Sequence, residues 1–512
     1  MYWLQRQIYV FFLYKRMTYC KTGFGKACIM KKTIYFSFYV KLTIYLVSSF
    51  LLTTEASAQA VKTTIDTTWL KKRIPEMMDS AAVTGLSVAV VQQGKFVWHK
   101  GFGRSNNQTR QPVTAATLYE AASLSKVVFS YIVWQLVDQG VLTLDKPLVD
   151  YVPLSHIEEV FVKGKVTDAR FHKITARMCL GHATGFPNGR YGSLKIGFNP
   201  GSNLSYSGEG FTYLQRVVEY LTKKNLEQLA VEYVFGPLQM HHSSYRWQER
   251  FTPHMADGHG SQGTVVKHRK QPEARAAYSL VSTAEDLGKF LTAVLNQERL
   301  SATIFQEAIT PHSKAKSGML KPLSWGLGVG VFETTEGKGF WHWGDYGTFK
   351  AYLVGFPAQQ TGLVLLTNSA NGLNLGLALS EITVGGDHVP FYVLPFKQYT
   401  NPENQIYRAV VDYGVEVALE VYNYYKLKKD RRLTEKTLNN IGTKLLKGGK
   451  REDALQMLKM NSLLYPSSYQ VYDSLGEVYL ALGNKIAAKE YFSKSLSLNP
   501  QNWNAARKLR YL

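Results

Sequence analysis

An apolar helix pattern that opens on a serine and a lysine constrains this chain more than any other feature. Val127, Val128, Tyr131, Ile132, Trp134, Gln135, Leu136 and Val137 run to a stop at Gly140, and a glycine just past such a run is a common helix terminator. Ser123-Leu-Ser-Lys126 stands at its start. Residues three apart share a helix face, so Ser123 and Lys126 point into the same cleft. A serine hydroxyl is a poor nucleophile at neutral pH, and a lysine one turn on is placed to take its proton. The four-residue pattern is weak by itself. Ser313-Lys-Ala-Lys316 also fits it, yet continues into Ser317-Gly-Met-Leu-Lys-Pro322, which is no helix.

The 512 residues are enough for two domains and a sizeable core. A hydrophobic content of 45% with 19% charged residues is that of a globular protein. Residues 1–29 read as an upstream extension, with Met30 as the start of a signal peptide over 30–58. Lys31 and Lys32 precede a mostly apolar run from Thr33 to Leu52, and Ala56-Ser-Ala58 supplies a small-x-small cleavage site before Gln59. No cysteine follows that site, so a lipid anchor is not expected there. Export to the periplasm or the extracellular space follows, with no permanent membrane span after cleavage. Cys20 and Cys28 would be lost with the leader, leaving Cys179 as a lone buried thiol and no disulfide framework. The formal charge of +22 includes eight Lys/Arg and one Glu within the first 58 residues. The remaining excess reads as spread, solvated lysines. No Arg-rich or aromatic-interleaved basic strip points to nucleic acid.

Gly85–Val91 and Lys95–Lys100 flank Gln92-Gln-Gly94 as strand, turn and strand. Helical runs are expected at Thr175–Leu180, Gly210–Leu221, Leu226–Val234 and Thr283–Leu295. Strands are expected at Trp325–Phe332, Gly339–Trp343, Thr348–Gly355 and Gly362–Thr367, then a helix over Leu373–Ile382. Strands at both ends of a helical middle imply one antiparallel sheet built from both ends, within a domain spanning 62–390. A helical linker, 391–430, contains one helical stretch from Ile406 to Leu427. Residues 431–512 then hold an internal repeat: Gly442 and Gly476, Gly449 and Gly483, Ala454 and Ala488, and Pro466 and Pro500 are each offset by 34. That period, with Tyr472, Leu475, Tyr479 and Phe492 in order, resembles a tetratricopeptide repeat. Such a region implies a possible protein or peptide partner, or a stabilising appendage.

Three separated segments carry the chemistry: Ser123 with Lys126; Pro200-Gly-Ser-Asn-Leu-Ser-Tyr206-Ser-Gly208; and His342-Trp-Gly344-Asp345. With Ile174–Gly185, Pro237-Leu-Gln-Met240 and Ala277–Leu287, they resemble the serine β-lactamase and penicillin-recognising hydrolase superfamily. The likeness is to its class C-like branch of D-alanyl-D-alanine carboxypeptidases, D-aminopeptidases and esterases, and covers roughly residues 65–385. It implies an α/β fold: an antiparallel sheet flanked by helices plus a mostly helical subdomain, followed here by the all-α repeats. It further implies a serine hydrolase working through an acyl-enzyme on an amide or ester, such as a D-amino-acid peptide, a β-lactam or an ester.

By the same resemblance Ser123 is the nucleophile, Lys126 its proton acceptor and Tyr206 the proton shuttle. Two neighbouring cations, Lys126 among them, would lower the phenol from its usual pKa near ~10. His342 and Gly344 would edge the cleft, and the N–H groups of Ser123 and Asp345 would form the oxyanion hole. Gly208 departs from the family's Tyr-x-Asn, which disfavours penicillin hydrolysis. An esterase with little peptidase activity, and a catalytically weak adaptor that recruits partners through its repeats, are the alternatives. His182 is expected to cap its own helix, and Asp286 to be a helix N-terminal acid. Asp257, His254 and His259 match no zinc spacing, so neither metal nor cofactor is expected. Loops around 155–170, 186–199 and 253–275 should shape the pocket.

Overall fold

The computed structural model describes residues 65–190, 192–316, 323–334, 337–386, 388–394, 396, 401–427, 430 and 432–512. The proposed extension and signal peptide lie outside these residues, as does most of the segment that follows Lys316.

Helix α1 (Thr67–Ala81) leads into strands β1 (Gly85–Gln92), β2 (Lys95–Asn106) and β3 (Gln111–Pro112). A short strand, β4 (Tyr119–Ala122), feeds helix α2 (Leu124–Asp138). The helical middle includes α3 (Ala176–Leu180) and α4 (Gly208–Thr222), then β5 (Leu280–Ser282), which pairs with β4, and α5 (Ala284–Leu295). The chain returns through β6 (Ser313–Lys314), β7 (Ser324–Trp325), β8 (Gly330–Thr334), β9 (Gly337–Asp345), β10 (Lys350–Phe356) and β11 (Thr361–Thr367) to α6 (Gly376–Thr383). The main sheet has the order β3-β2-β1-β11-β10-β9-β8-β7-β6, so strands from the two ends of the domain meet where β1 pairs antiparallel with β11. This is the sheet expected from the sequence. The stretch from Trp325 to Phe332 is not one strand, because the chain turns between β7 and β8 at Gly328, whose φ is +88°.

Helix α2 is the axis of the domain. Every residue from Leu124 to Leu136 is buried, which explains an apolar pattern without a polar face. Tyr131 stacks edge-on against Phe290 of α5, and α5 packs closely on β1 because Gly288 leaves no Cβ to strike Phe96 and Ala89. Leu86, Val88 and Val90 are equally buried on the other face of β1, so the sheet is covered on both sides.

After residue 400 the chain is helical: α7 (Pro402–Tyr413), α8 (Val415–Leu427), α9 (Glu435–Lys447), α10 (Arg451–Leu464), α11 (Tyr469–Ala481), α12 (Lys485–Leu498) and α13 (Trp503–Leu509). The single helical stretch expected over 406–427 is two helices, broken at Gly414, whose φ of +91° no L-residue adopts easily. Ile406, Val410, Ala418 and Tyr422 share one core with Leu438, Leu458 and Leu475, so this hairpin extends the repeat stack. Within each repeat one glycine sets the helix spacing. A Cβ on Gly442 would lie 2.4 Å from Leu458, and on Gly476 2.6 Å from Phe492, at equivalent places 34 residues apart. Overpacking of this kind costs about 1–3 kcal/mol. Gly476→Ala should therefore lower the thermal unfolding temperature of the repeats while the catalytic-domain transition stays in place, as followed by calorimetry.

Candidate active site

The strand before Ser123 is distorted where it runs into the helix. A bulge interrupts the β4–β5 register between Glu120 and Ala122, and Ala122 has a φ of +48°. A left-handed alanine costs roughly 1–2 kcal/mol, and bonds around it hold it there. The Ser125 hydroxyl donates to the Ala122 carbonyl (2.5 Å) and accepts from the Leu280 N–H (2.9 Å). Sequence reasoning passed over Ser125, the middle residue of the motif, because its role depends on β5. Ser123 then occupies the N-cap of α2 without a capping bond from its side chain, and the residue is partly exposed.

The Lys126 Nζ lies 3.1 Å from Ser123 Oγ and donates to the Ala277 carbonyl at 2.6 Å. It sits 4.9 Å from the centre of the Tyr206 ring. Ser123, Lys126 and Tyr206, 83 residues apart at the extremes, thus share one pocket. Among the described residues no carboxylate pairs with this amine, and burial brings its pKa from 10.5 down to about 7.

Tyr206 does not follow the expected lowering of its pKa. Its hydroxyl is buried, and burial holds its pKa well above the usual tyrosine value; the Ser123 hydroxyl beside it offsets this in part, without a well-formed hydrogen bond between them. Among the described residues no second cation lies over its ring. His342 is fully buried, its Nδ1–H donates to the Trp343 carbonyl at 2.7 Å, and burial with Lys126 nearby depresses its pKa to about 3. The His342 side chain thus sits as a neutral group within the wall, and Trp343 is the half-buried residue beside Tyr206, with ring centres 5.0 Å apart. His182 does not cap its own helix. Its Nδ1 accepts the Ser207 N–H at 3.0 Å and its ring lies 4.3 Å from that of Tyr206, so it supports the tyrosine from behind. Burial keeps it neutral, with a pKa well below 6.5.

Strand β9 pairs with β8 only as far as Trp341, which leaves one edge of residues 342–345 without a strand partner. Gly344 serves packing on the nucleophile strand. A Cβ there would lie 2.5 Å from the Ala121 carbonyl and 3.1 Å from Ala122. The Asp345 carboxylate accepts from Lys350 and from the Gly347 N–H, which fixes the turn after β9.

The departure at Gly208 has a steric cause. A Cβ on Gly208 would lie 2.5 Å from the Asn188 carbonyl, so an asparagine does not fit beside this loop. The Ala277 carbonyl holds the lysine amine. Cys179 is buried and free, as read from the sequence. Asp286 lies in the first turn of α5 and accepts from the His242 N–H and the Ser243 hydroxyl. Asp257 is engaged by Asn106, Lys267 and His268, and His259 by Asn107 and Asn368. Among the described residues no group of three or more His, Cys, Asp or Glu is placed to hold a metal.

A serine and lysine opening a buried helix, beside an antiparallel sheet built from both ends of the domain, are features of a β-lactamase-like fold. A family model described as Beta-lactamase matches residues 70–379, and the chain belongs to that family of serine hydrolases. A second model, described as Tetratricopeptide repeat, matches residues 469–502. Protein flp of Staphylococcus aureus (strain MW2) is 23% identical over 338 residues, covering 62% of this chain and 64% of the relative, so the chain spans under two thirds of that relative's length. A protein named Beta-lactamase from Pseudomonas fluorescens is 23% identical over 337 residues, 58% of this chain and 91% of its own. The octameric penicillin-binding protein homologue from Pyrococcus abyssi superposes with a TM-score of 0.55 at 21% identity, over 68% of this chain and 82% of that one. A Beta-Lactamase/D-Alanine Carboxypeptidase from Pseudomonas syringae gives 0.53 at 18% identity, over 62% and 98%. At these identities the structures speak to the fold alone.

The buried amine has a signature in stability. The unfolded chain holds the lysine proton up to about pH 10, the folded chain only below about pH 7. Between those values the unfolded state binds more protons, so wild-type stability gains with rising pH from this group. Lys126→Met removes that term. The stability of the variant relative to wild type should fall as pH rises from 7 to 10 in denaturant titrations. An equal difference at both pH values would mean the amine is not desolvated as described.

Proposed function

We propose that the chain is an exported hydrolase that opens an amide or ester through an acyl-enzyme on Ser123. The observation that carries this reading is the neutral-range amine of Lys126 at 3.1 Å from the Ser123 hydroxyl. A general base works best with a pKa near the working pH. Lys126 takes the Ser123 proton as Oγ attacks the substrate carbonyl carbon. The oxyanion gathers against the N–H groups of Ser123, at the start of α2, and Asp345, on β9. Collapse expels the leaving group, which receives its proton from the Tyr206 phenol, and the phenol is refilled from the Lys126 ammonium. Water then attacks the acyl carbon and the same groups carry its proton to Ser123. A protonated Tyr206 suits this direction, since it starts the cycle as an acid.

Esters are favoured over peptides on one observation. Gly208 leaves no side-chain amide in the pocket, and the partly exposed indole of Trp343 stands on the strand that edges it. The leader over 30–58 supports export; no helix among the described residues is long and apolar enough to cross a membrane. The repeats support a protein partner, held apart from the chemistry.

Fluorophosphonate labelling should modify wild type and leave Ser123→Ala unmarked, and that variant should lose at least about 10³-fold in kcat on a short-chain nitrophenyl ester. Equal labelling of both would overturn the assignment. The kcat/KM of wild type should rise with pH through a single ionisation near 7, as the Lys126 amine loses its proton. A stronger turnover of a D-Ala-D-Ala peptide than of the ester would reverse the ester preference.

A further inference from the structure

Two neighbouring hollows, of about 800 and 480 Å³, share Arg190, Ser193 and Lys195 as common lining and so form one trough. Its inner end is Ser205, the residue before Tyr206, with Gly185 and Pro187 beside it. Its outer end is formed by Lys163, Lys165 and Arg170. Ser205 precedes Tyr206 in the chain, so the inner end of the trough adjoins the segment that carries the tyrosine.

The trough is basic beyond what its own carboxylates neutralise. Residues 160–199 contain seven Lys and Arg against one Asp. Asp168 pairs with Arg170. Glu158 pairs with Lys165 and Glu209 with Arg190. Arg190 is also fixed by the Phe161 and Val162 carbonyls, at 2.8 and 3.2 Å, and lies over the Phe161 ring. Among the described residues Asp168 is the carboxylate of the lining, and it is paired. Lys163 and Lys195 are exposed and have no carboxylate partner among the described residues. Lys163 is the left-handed residue, at φ +59°, that ends the preceding turn of helix. Two uncompensated cations in a walled trough attract an anion more strongly than the same lysines on an open surface, because the walls exclude solvent from one side.

We propose that this trough binds an anionic extension of the substrate, a carboxylate or phosphate carried several bonds away from the bond opened at Ser123, with Lys163 and Lys195 as the recognising cations. The inference rests on the hydrolase reading for its setting, and the anion site itself is testable without turnover.

The test uses the full chain with three matched nitrophenyl esters bearing a neutral, a carboxylate or a phosphate arm, and with a fluorescein-labelled tri-glutamate peptide followed by anisotropy. At low ionic strength kcat/KM for one or both anionic esters should exceed that of the neutral ester by at least about tenfold, mostly through KM, and the advantage should shrink as salt is raised. The double variant Lys163→Glu with Lys195→Glu should erase that advantage and leave neutral-ester turnover unchanged. Lys173→Glu, an exposed lysine outside the lining, should keep it. Which arm gains separates carboxylate from phosphate recognition. An absence of preference in wild type, or an equal loss on neutral and anionic esters in the double variant, overturns the proposal. If wild type turns over none of the esters, the hydrolase reading fails; peptide binding that the double variant loses and Lys173→Glu keeps then upholds the trough, and binding unchanged in the double variant overturns it.

Discussion

The site depends on one amine kept out of water. Lys126 is 2% exposed, pairs with no carboxylate among the described residues and is held by a serine hydroxyl and a backbone carbonyl. Burying an unpaired ammonium is costly, and a protein relieves that cost by letting the group become neutral. The consequences spread outward. A neutral amine accepts a proton where an ordinary lysine cannot. Burial likewise holds the Tyr206 phenol above its usual range. Two more buried bases nearby, His182 and His342, are kept neutral by burial and by the Lys126 charge when it is present. The pocket is a desolvated cluster whose ionisation states are set by burial.

Much of this was legible in the chain, and the parts that were not share a cause. The two-ended sheet could be read because β1, β10 and β11 are apolar runs with turn residues between them, and α2 because its apolar pattern ends at a glycine. The 34-residue offset made the repeats visible. The site residues were legible as types at particular places. Their protonation states were not, because these depend on burial and on partners far away in sequence: Ala277 for Lys126, Ser207 for His182. Two glycines find their steric reason only in the fold: Gly344 makes room for Ala121 and Gly208 for Asn188. A glycine announces that something comes close; only the tertiary structure says what.

The nucleophile strand shows how the fold maintains a strained turn. Ala122 is left-handed, and three separate contacts oppose its relaxation. Ser125 grips its carbonyl from the helix side. Gly344 lets β9 press on Ala121 and Ala122 from the sheet side. Glu120, buried two residues before the turn, accepts from the Arg269 N–H at 2.6 Å and from its guanidinium at 2.9 Å. That guanidinium in turn covers the Tyr346 ring at 4.2 Å, one residue past Asp345. One arginine on the 253–275 loop therefore ties β4, which leads into Ser123, to the turn that follows β9. Strain at a functional residue persists only where its surroundings over-determine it. Here the contacts that over-determine it come from α2, from β9 and from the arginine between them, so the turn before Ser123 and the position of β9 beside it are held by the same few residues.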